Sequence, residues 1–175
     1  LLQALACLGA PTAPATLALA TGGTAASVSQ RLAPCVDEGL VLADDTTLRC
    51  GNARVQVAAK ASLGDAACVA LHLALAQRLA ASGQAELEGV AAEQFLHAQD
   101  ALGDEAERRR AAGLLEAAAQ RLRLSDPPTS ERYLAATIKA LAPVAAADKA
   151  ERMFALKVDH HRALFQQGRL ADGAV

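Results

Sequence analysis

Apolar positions recur at helical spacing through most of this chain, and only one short region departs from it. This is Leu40-Val41-Leu42, the turn residues Asp44-Asp45, and Thr46 to Arg49 beyond them. It predicts the two strands of a small hairpin. Ahead of it, residues 1–8 read as a helix ended by Gly9-Ala10-Pro11, and a second helix covers about Pro14 to Ala20 and stops at Thr21-Gly22-Gly23. A third opens at Thr24 or Ser27, with Val28, Leu32, Cys35 and Val36 along one face up to Glu38-Gly39. Pro34 inside it predicts a kink or an early end, because proline removes one amide donor and crowds the preceding turn.

Past the hairpin the pattern describes a corner between two helices. Asn52 is placed to cap a short helix over Ala53 to Ser62, and Leu63-Gly64 stops it. Asp65 is placed to cap the next helix, whose apolar face is Cys68, Leu71, Leu75 and Leu79. From Gln84 onward only helical periodicity remains. Leu87, Val90, Ala91, Phe95, Ala98 and Leu102 line one helix; Asp104-x-x-Glu107 resembles a capping box for another, with Ala111, Leu114, Leu115, Ala118 and Leu122 facing in. Ser125-Asp-Pro-Pro-Thr-Ser130 reads as a break. A short helix follows (Tyr133, Leu134, Ile138, Leu141), closed by Pro143. Asp148-x-x-Glu151 is placed to cap a last one with Phe154, Val158, His161 and Phe165 inward, ended by Gly168.

Three short helices and a hairpin are in winged-helix order, and the helices after them suggest an antiparallel repeat stack. The expected fold is therefore mainly α: a winged-helix module with a small β-hairpin over residues 1–63, then a TPR-like helical repeat array over 64–175. Composition agrees with thin, closely packed helices, since 53% of residues are hydrophobic but only 2% aromatic. The first helix has no cap, the chain begins without Met, and Gly168 to Val175 stops where another helix would begin. The expectation is a segment of a larger protein.

Charge narrows the function classes. The net charge of −2 creates no field favouring nucleic acid or an anionic membrane. Residues 1–50 hold two basic and four acidic residues, with Asp44 and Asp45 where a DNA-binding wing needs Lys or Arg. No apolar run reaches the roughly 20 residues that span a bilayer, and LLQALACLGAP lacks the basic start of a signal peptide. The four cysteines (Cys7, Cys35, Cys50, Cys68) form no CxxC pair and read as buried thiols in a cytoplasmic setting.

Candidate chemistry is sparse. There is no GxxxxGK[ST] loop, and Gly22-Gly23 is explained by a turn. Asp159-His160-His161 draws attention, but neighbours on a helix point roughly 100° apart and do not share one metal. His72 and His97 lie on separate helices without HExxH spacing. Arg108-Arg109-Arg110, with Arg121 and Arg123, is the only basic cluster, and Glu105 and Glu107 offset it as on a solvated face. No catalytic residue and no metal ligand is assigned.

Order and spacing together resemble the segment that follows the ATPase core in bacterial STAND proteins, as in large LuxR-type activators and multidomain kinases or cyclases. Leu40-Val41-Leu42 after Asp37-Glu38-Gly39 resembles the family's "EGL(I/V)" lead-in to the wing, and Ala53 to Ala59 (ARVQVAA) its "DRVQQAAY" helix. Ala70-Leu71-His72-Leu73 with Ala76 and Leu79 resembles "ALHLRIGRLL", Ala92 to Ala98 (AEQFLHA) "AEHFLRAG", and Ala163 to Ala171 (ALFQQGRLA) the middle of a tetratricopeptide repeat. The family's Phe-x-His-Asp at the corner helix appears here as Cys50, Asn52 and Ala53, and its Tyr as Lys60. Asn52 thus stands at the nucleotide-sensing position without the charge a His can carry.

The resemblance implies a non-catalytic regulatory segment that relays nucleotide state from an upstream ATPase core and binds a protein partner through its repeats. ATP or ADP would belong to the parent protein and not to this segment. Val55, Ala58, Ala59, Leu71 and Leu75 are the expected coupling residues between the modules. A winged-helix DNA-binding regulator and a stand-alone TPR-like scaffold are the other readings.

Overall fold

The computed structural model describes residues 1–144 and 149–169. Among them the chain is mainly helical, with one two-stranded antiparallel sheet. It divides into two compact units, residues 1–98 and 99–175.

The first unit begins with α1 (Leu2–Leu8), α2 (Pro14–Thr21) and α3 (Ala25–Asp37). Local chemistry sets their limits. Gly9 and Gly22 take positive φ at the ends of α1 and α2, where a Cβ would be strained. The Thr24 hydroxyl accepts from Ser27 N while the Ser27 hydroxyl accepts from Thr24 N, a reciprocal cap on α3. Pro34 does not end α3, which continues to Asp37. The proline lies on the exposed side, where water can solvate the carbonyl it leaves without a donor.

The hairpin pairs β1 (Val41–Ala43) with β2 (Leu48–Cys50) in the register Val41 with Cys50 and Ala43 with Leu48. The outer edge of β2 is covered, because Thr12 and Leu48 exchange two backbone hydrogen bonds of 2.8 Å each. At the hairpin base Gly51 N donates to Leu40 O, and a Cβ on Gly51 would overlap the Gly39 carbonyl oxygen. Only glycine allows that approach.

α4 (Ala53–Ala61) and α5 (Asp65–Ala81) meet at a bend of 106°, which is the expected corner. The capping of α5 differs from the expectation. Gly64, with φ near +70°, occupies the cap position, and Asp65 is already the first helical residue. Its carboxylate acts there as a charge beside the helix N-terminus and caps no amide. α4 packs on α1, and α5 packs on α2, α1 and the following α6 (Glu88–His97). The division expected at residue 63 therefore falls inside this unit, since α5 and α6 complete the core around Leu5, Leu17, Leu75, Leu79 and Phe95. The helix expected to run through Leu102 is interrupted, with 3-10 turns at Ala85–Leu87 and Gln99–Ala101 flanking α6.

The second unit holds α7 (Glu105–Leu122), α8 (Pro127–Leu141) and α9 (Lys149–Gln166), with α8 packed on both neighbours. Asp104 caps α7 through Glu107 N at 2.8 Å, and Glu107 reaches back to Gly103 N at 2.6 Å. The break expected over 125–130 is shorter in fact. Asp126 caps Thr129 N and α8 starts at Pro127, since proline suits the first helical position. Ala111, Ala112, Ala118 and Ala119 of α7 and Ala136 and Ala140 of α8 are buried, and such small side chains let helices approach closely. The Ser130 hydroxyl donates to Ala119 O at 2.8 Å across this layer. The expected cap at Asp148, and the end of the tetratricopeptide-like stretch at Leu170 and Ala171, lie outside the described residues. No single described helix is long and apolar enough to cross a membrane.

Candidate functional site

The residues expected to couple two modules all lie within the first unit. Leu75 is fully buried and Ala59 is buried, Val55 and Leu71 are half-buried, and Ala58 is exposed. The buried face of α5 is His72, Leu75, Ala76 and Leu79, so Cys68 and Leu71 sit at its margin. Asn52 acts as a helix cap: its Oδ1 accepts from Val55 N at 3.1 Å. Gln56 Nε2 donates to Ala6 O at 3.1 Å, and Arg78 Nη1 donates to Ala20 O at 3.2 Å near the C-terminal end of α2.

In the second unit α9 reverses the expected orientation. Phe154 and Phe165 are 71% and 69% exposed, and Val158 and His161 also face out. The buried positions are Leu156, Ala163 and Leu164. At about 100° per residue, Phe154, Val158 and Phe165 cluster about 180° around the helix from Leu156 and Ala163. α9 thus has two apolar faces and uses one of them on α8. The period identified an apolar stripe but could not say which stripe meets a neighbour.

His160 and His161 do not converge. His160 Nε2 meets Glu131 Oε1 of α8 at 2.8 Å, while His161 Nδ1 turns to the Lys157 carbonyl. The arginine cluster is largely engaged. Arg108 donates to the carbonyls of Leu102 and Gly103, and Arg109 pairs with Glu105.

The grouping that sequence reasoning missed is in the first unit. Cys7 near the end of α1 and Cys68 and His72 on α5 bring their ligand atoms within 4.8 Å of one another, the one such group among the described residues. Its sequence signal was Cys68 and His72 at i,i+4, one turn apart on a helix. Cys7 could not be assigned to them without the packing of α1 on α5. Cys7 and His72 are buried and Cys68 is half-buried.

One residue of α6 organises this group. Gln94 is fully buried; its Nε2 donates to Cys7 O at 3.3 Å and its Oε1 lies 2.7 Å from His72 Nδ1. The first bond fixes which way the amide faces, and an amide oxygen only accepts. His72 Nδ1 therefore carries the proton and Nε2 keeps its lone pair. The His97 ring lies with its centroid 4.7 Å from that of His72, and His97 Nε2 is 3.3 Å from the Glu93 carboxylate. Burial pushes the Cys7 thiol up to about 12, and its hydrogen-bonded neighbour Cys68 adds to this while Lys60 opposes it. Burial also raises the Cys50 thiol and lowers His72, which keeps all three neutral.

Comparison with known protein-family models, with curated proteins and with solved structures returns no match to this chain.

Proposed function

We propose that this chain is a non-catalytic interaction segment of a larger cytoplasmic signalling ATPase of the STAND type. In this reading the first unit is a winged-helix arrangement, and the corner of α4 and α5 belongs to the path that senses the nucleotide state of an upstream core. The second unit is the start of a TPR-like array whose free helix face binds a protein partner. The observation that carries the reading is the second apolar face of α9, with Phe154, Val158 and Phe165 turned outward.

The repetition within the unit says what kind of occupant fits. α8 packs on α7 and α9 packs on α8 through short connections, each helix covering the apolar face of its neighbour. The occupant suited to α9 is another amphipathic helix laid against it, from the parent polypeptide or a partner protein. Support against DNA as the partner comes from the acidic hairpin tip, where Asp44 and Asp45 are both exposed.

The test is hydrogen exchange on the parent protein alongside the isolated segment, with and without nucleotide. Amides of α9 are expected to gain protection in the parent, and a Phe154→Asp/Phe165→Asp variant is expected to lose that gain. Because both side chains are exposed, the variant segment alone should keep its stability to within about 0.5 kcal/mol. Equal exchange of α9 in every state, or salt-dependent retention of the segment on duplex DNA, sinks the reading.

A further inference from the structure

We propose that Cys7, Cys68 and His72 form a binding site for a thiophilic divalent metal ion, for which zinc(II) is the probe. This goes beyond the interaction role and does not depend on it. Two thiols and an imidazole are the donor set that soft or borderline ions take from proteins. They come from two helices, with Cys68 and His72 stacked one turn apart, so one ion would clamp α1 to α5.

The geometry is close to what the ion demands. Tetrahedral zinc, with bonds of about 2.3 Å to sulfur and about 2.0 Å to nitrogen, places neighbouring ligand atoms roughly 3.5–3.8 Å apart. The three atoms already lie within 4.8 Å of one another. Closing the remainder requires a shift of about 1 Å, of the order that a rotamer adjustment of the half-buried Cys68 side chain provides.

The second observation is Gln94. Metal-binding histidines characteristically donate their other ring N–H to a fixed acceptor, which sets tautomer and orientation. The Gln94 oxygen accepts from His72 Nδ1, which leaves Nε2 as the nitrogen with a lone pair for an ion, and the same amide is anchored on the backbone of Cys7, another proposed ligand. Charge is also balanced: binding M²⁺ expels both thiol protons to solvent, and two thiolates with the ion form a neutral group at this largely buried place. Lys60 lies within electrostatic reach of Cys7 and offsets part of the burial that holds its thiol neutral. Three protein ligands leave the fourth position to water or an incoming donor.

The test uses the full chain, reduced and stripped with a chelator, then titrated with zinc(II) against a chromophoric competitor and separately with cobalt(II). The expected result is one ion per chain, a cobalt–thiolate charge-transfer band, and two of the four thiols shielded from a thiol reagent. Cys68→Ser and His72→Gln should each weaken binding at least about 10-fold, and Gln94→Leu by roughly 10–100-fold. Cys35→Ser, at a cysteine outside the group, should leave it unchanged, and circular dichroism checks that each variant folds. Cys68→Ser changes only a half-buried side chain, so it stays informative if His72→Gln fails to fold. The proposal is overturned if the reduced chain retains no zinc, if Cys68→Ser binds as tightly as the parent, or if oxidation links Cys7 to Cys68 while zinc gives no protection.

Discussion

His160 of α9 and Glu131 of α8 meet at 2.8 Å, and Arg169 reaches the other oxygen of the same carboxylate at 3.2 Å. Glu131 is 8% exposed, so the pair and the arginine together satisfy a carboxylate that water barely reaches. Both partners can turn to solvent if it is removed. Glu131→Ala should therefore cost about 1.5–3 kcal/mol, the net worth of hydrogen bonds to a charged group. His160→Ala should cost less, because Arg169 remains. Urea unfolding followed on the second unit measures both, and an equal or larger loss for His160→Ala contradicts the assignment.

Leu75 is the most heavily committed of the five residues on the α4–α5 corner. It is fully buried in the core of the first unit, whereas Ala58 is exposed. Leu75→Ala should lower stability by about 2–5 kcal/mol, the range for emptying a leucine site. Ala58→Ser should stay within about 0.5 kcal/mol. Thermal melts of the two variants separate a packed corner from a loosely apposed one, and similar melting temperatures would refute the packing described.

Asp44 makes the hairpin turn sensitive to acid. The backbone N–H of Thr46 and then the hydroxyl and N–H of Thr47 hold its carboxyl down from 3.8 to about 2. A depressed value means that the ionised form is the one the fold favours. Its contribution is complete above 3.8 and is lost as pH falls through about 2. The amide resonances of Thr46 and Thr47 should shift together with that midpoint, and Asp44→Asn should abolish the transition. A midpoint near 3.8 in the folded chain would disprove the turn geometry.

What could be read from sequence was what depends on a few adjacent residues. The caps at Thr24, Asn52 and Asp104 involve an oxygen and an amide three residues apart, and the hairpin is announced by Asp44-Asp45 between short apolar runs. Relations over distance were not legible. Periodicity marks Phe154, Val158 and Phe165 as a stripe, yet Leu156, Ala163 and Leu164 form another, and only the packing of α8 selects between them. Likewise nothing local joins Cys7 to His72; the contact exists because α1 lies on α5 and Gln94 reaches both. Asp65 was misread for a different reason: Gly64 at positive φ already turns the chain, so the helix begins one residue earlier than its acidic side chain suggested.

The chain has no tryptophan and a single tyrosine, Tyr133, buried within α8. Its phenol emission and near-ultraviolet dichroism are thus a native optical label on the second unit alone, silent about the first. Following that signal beside the far-ultraviolet signal of all the helices would tell, without any added dye, whether the two halves melt in one event or in sequence.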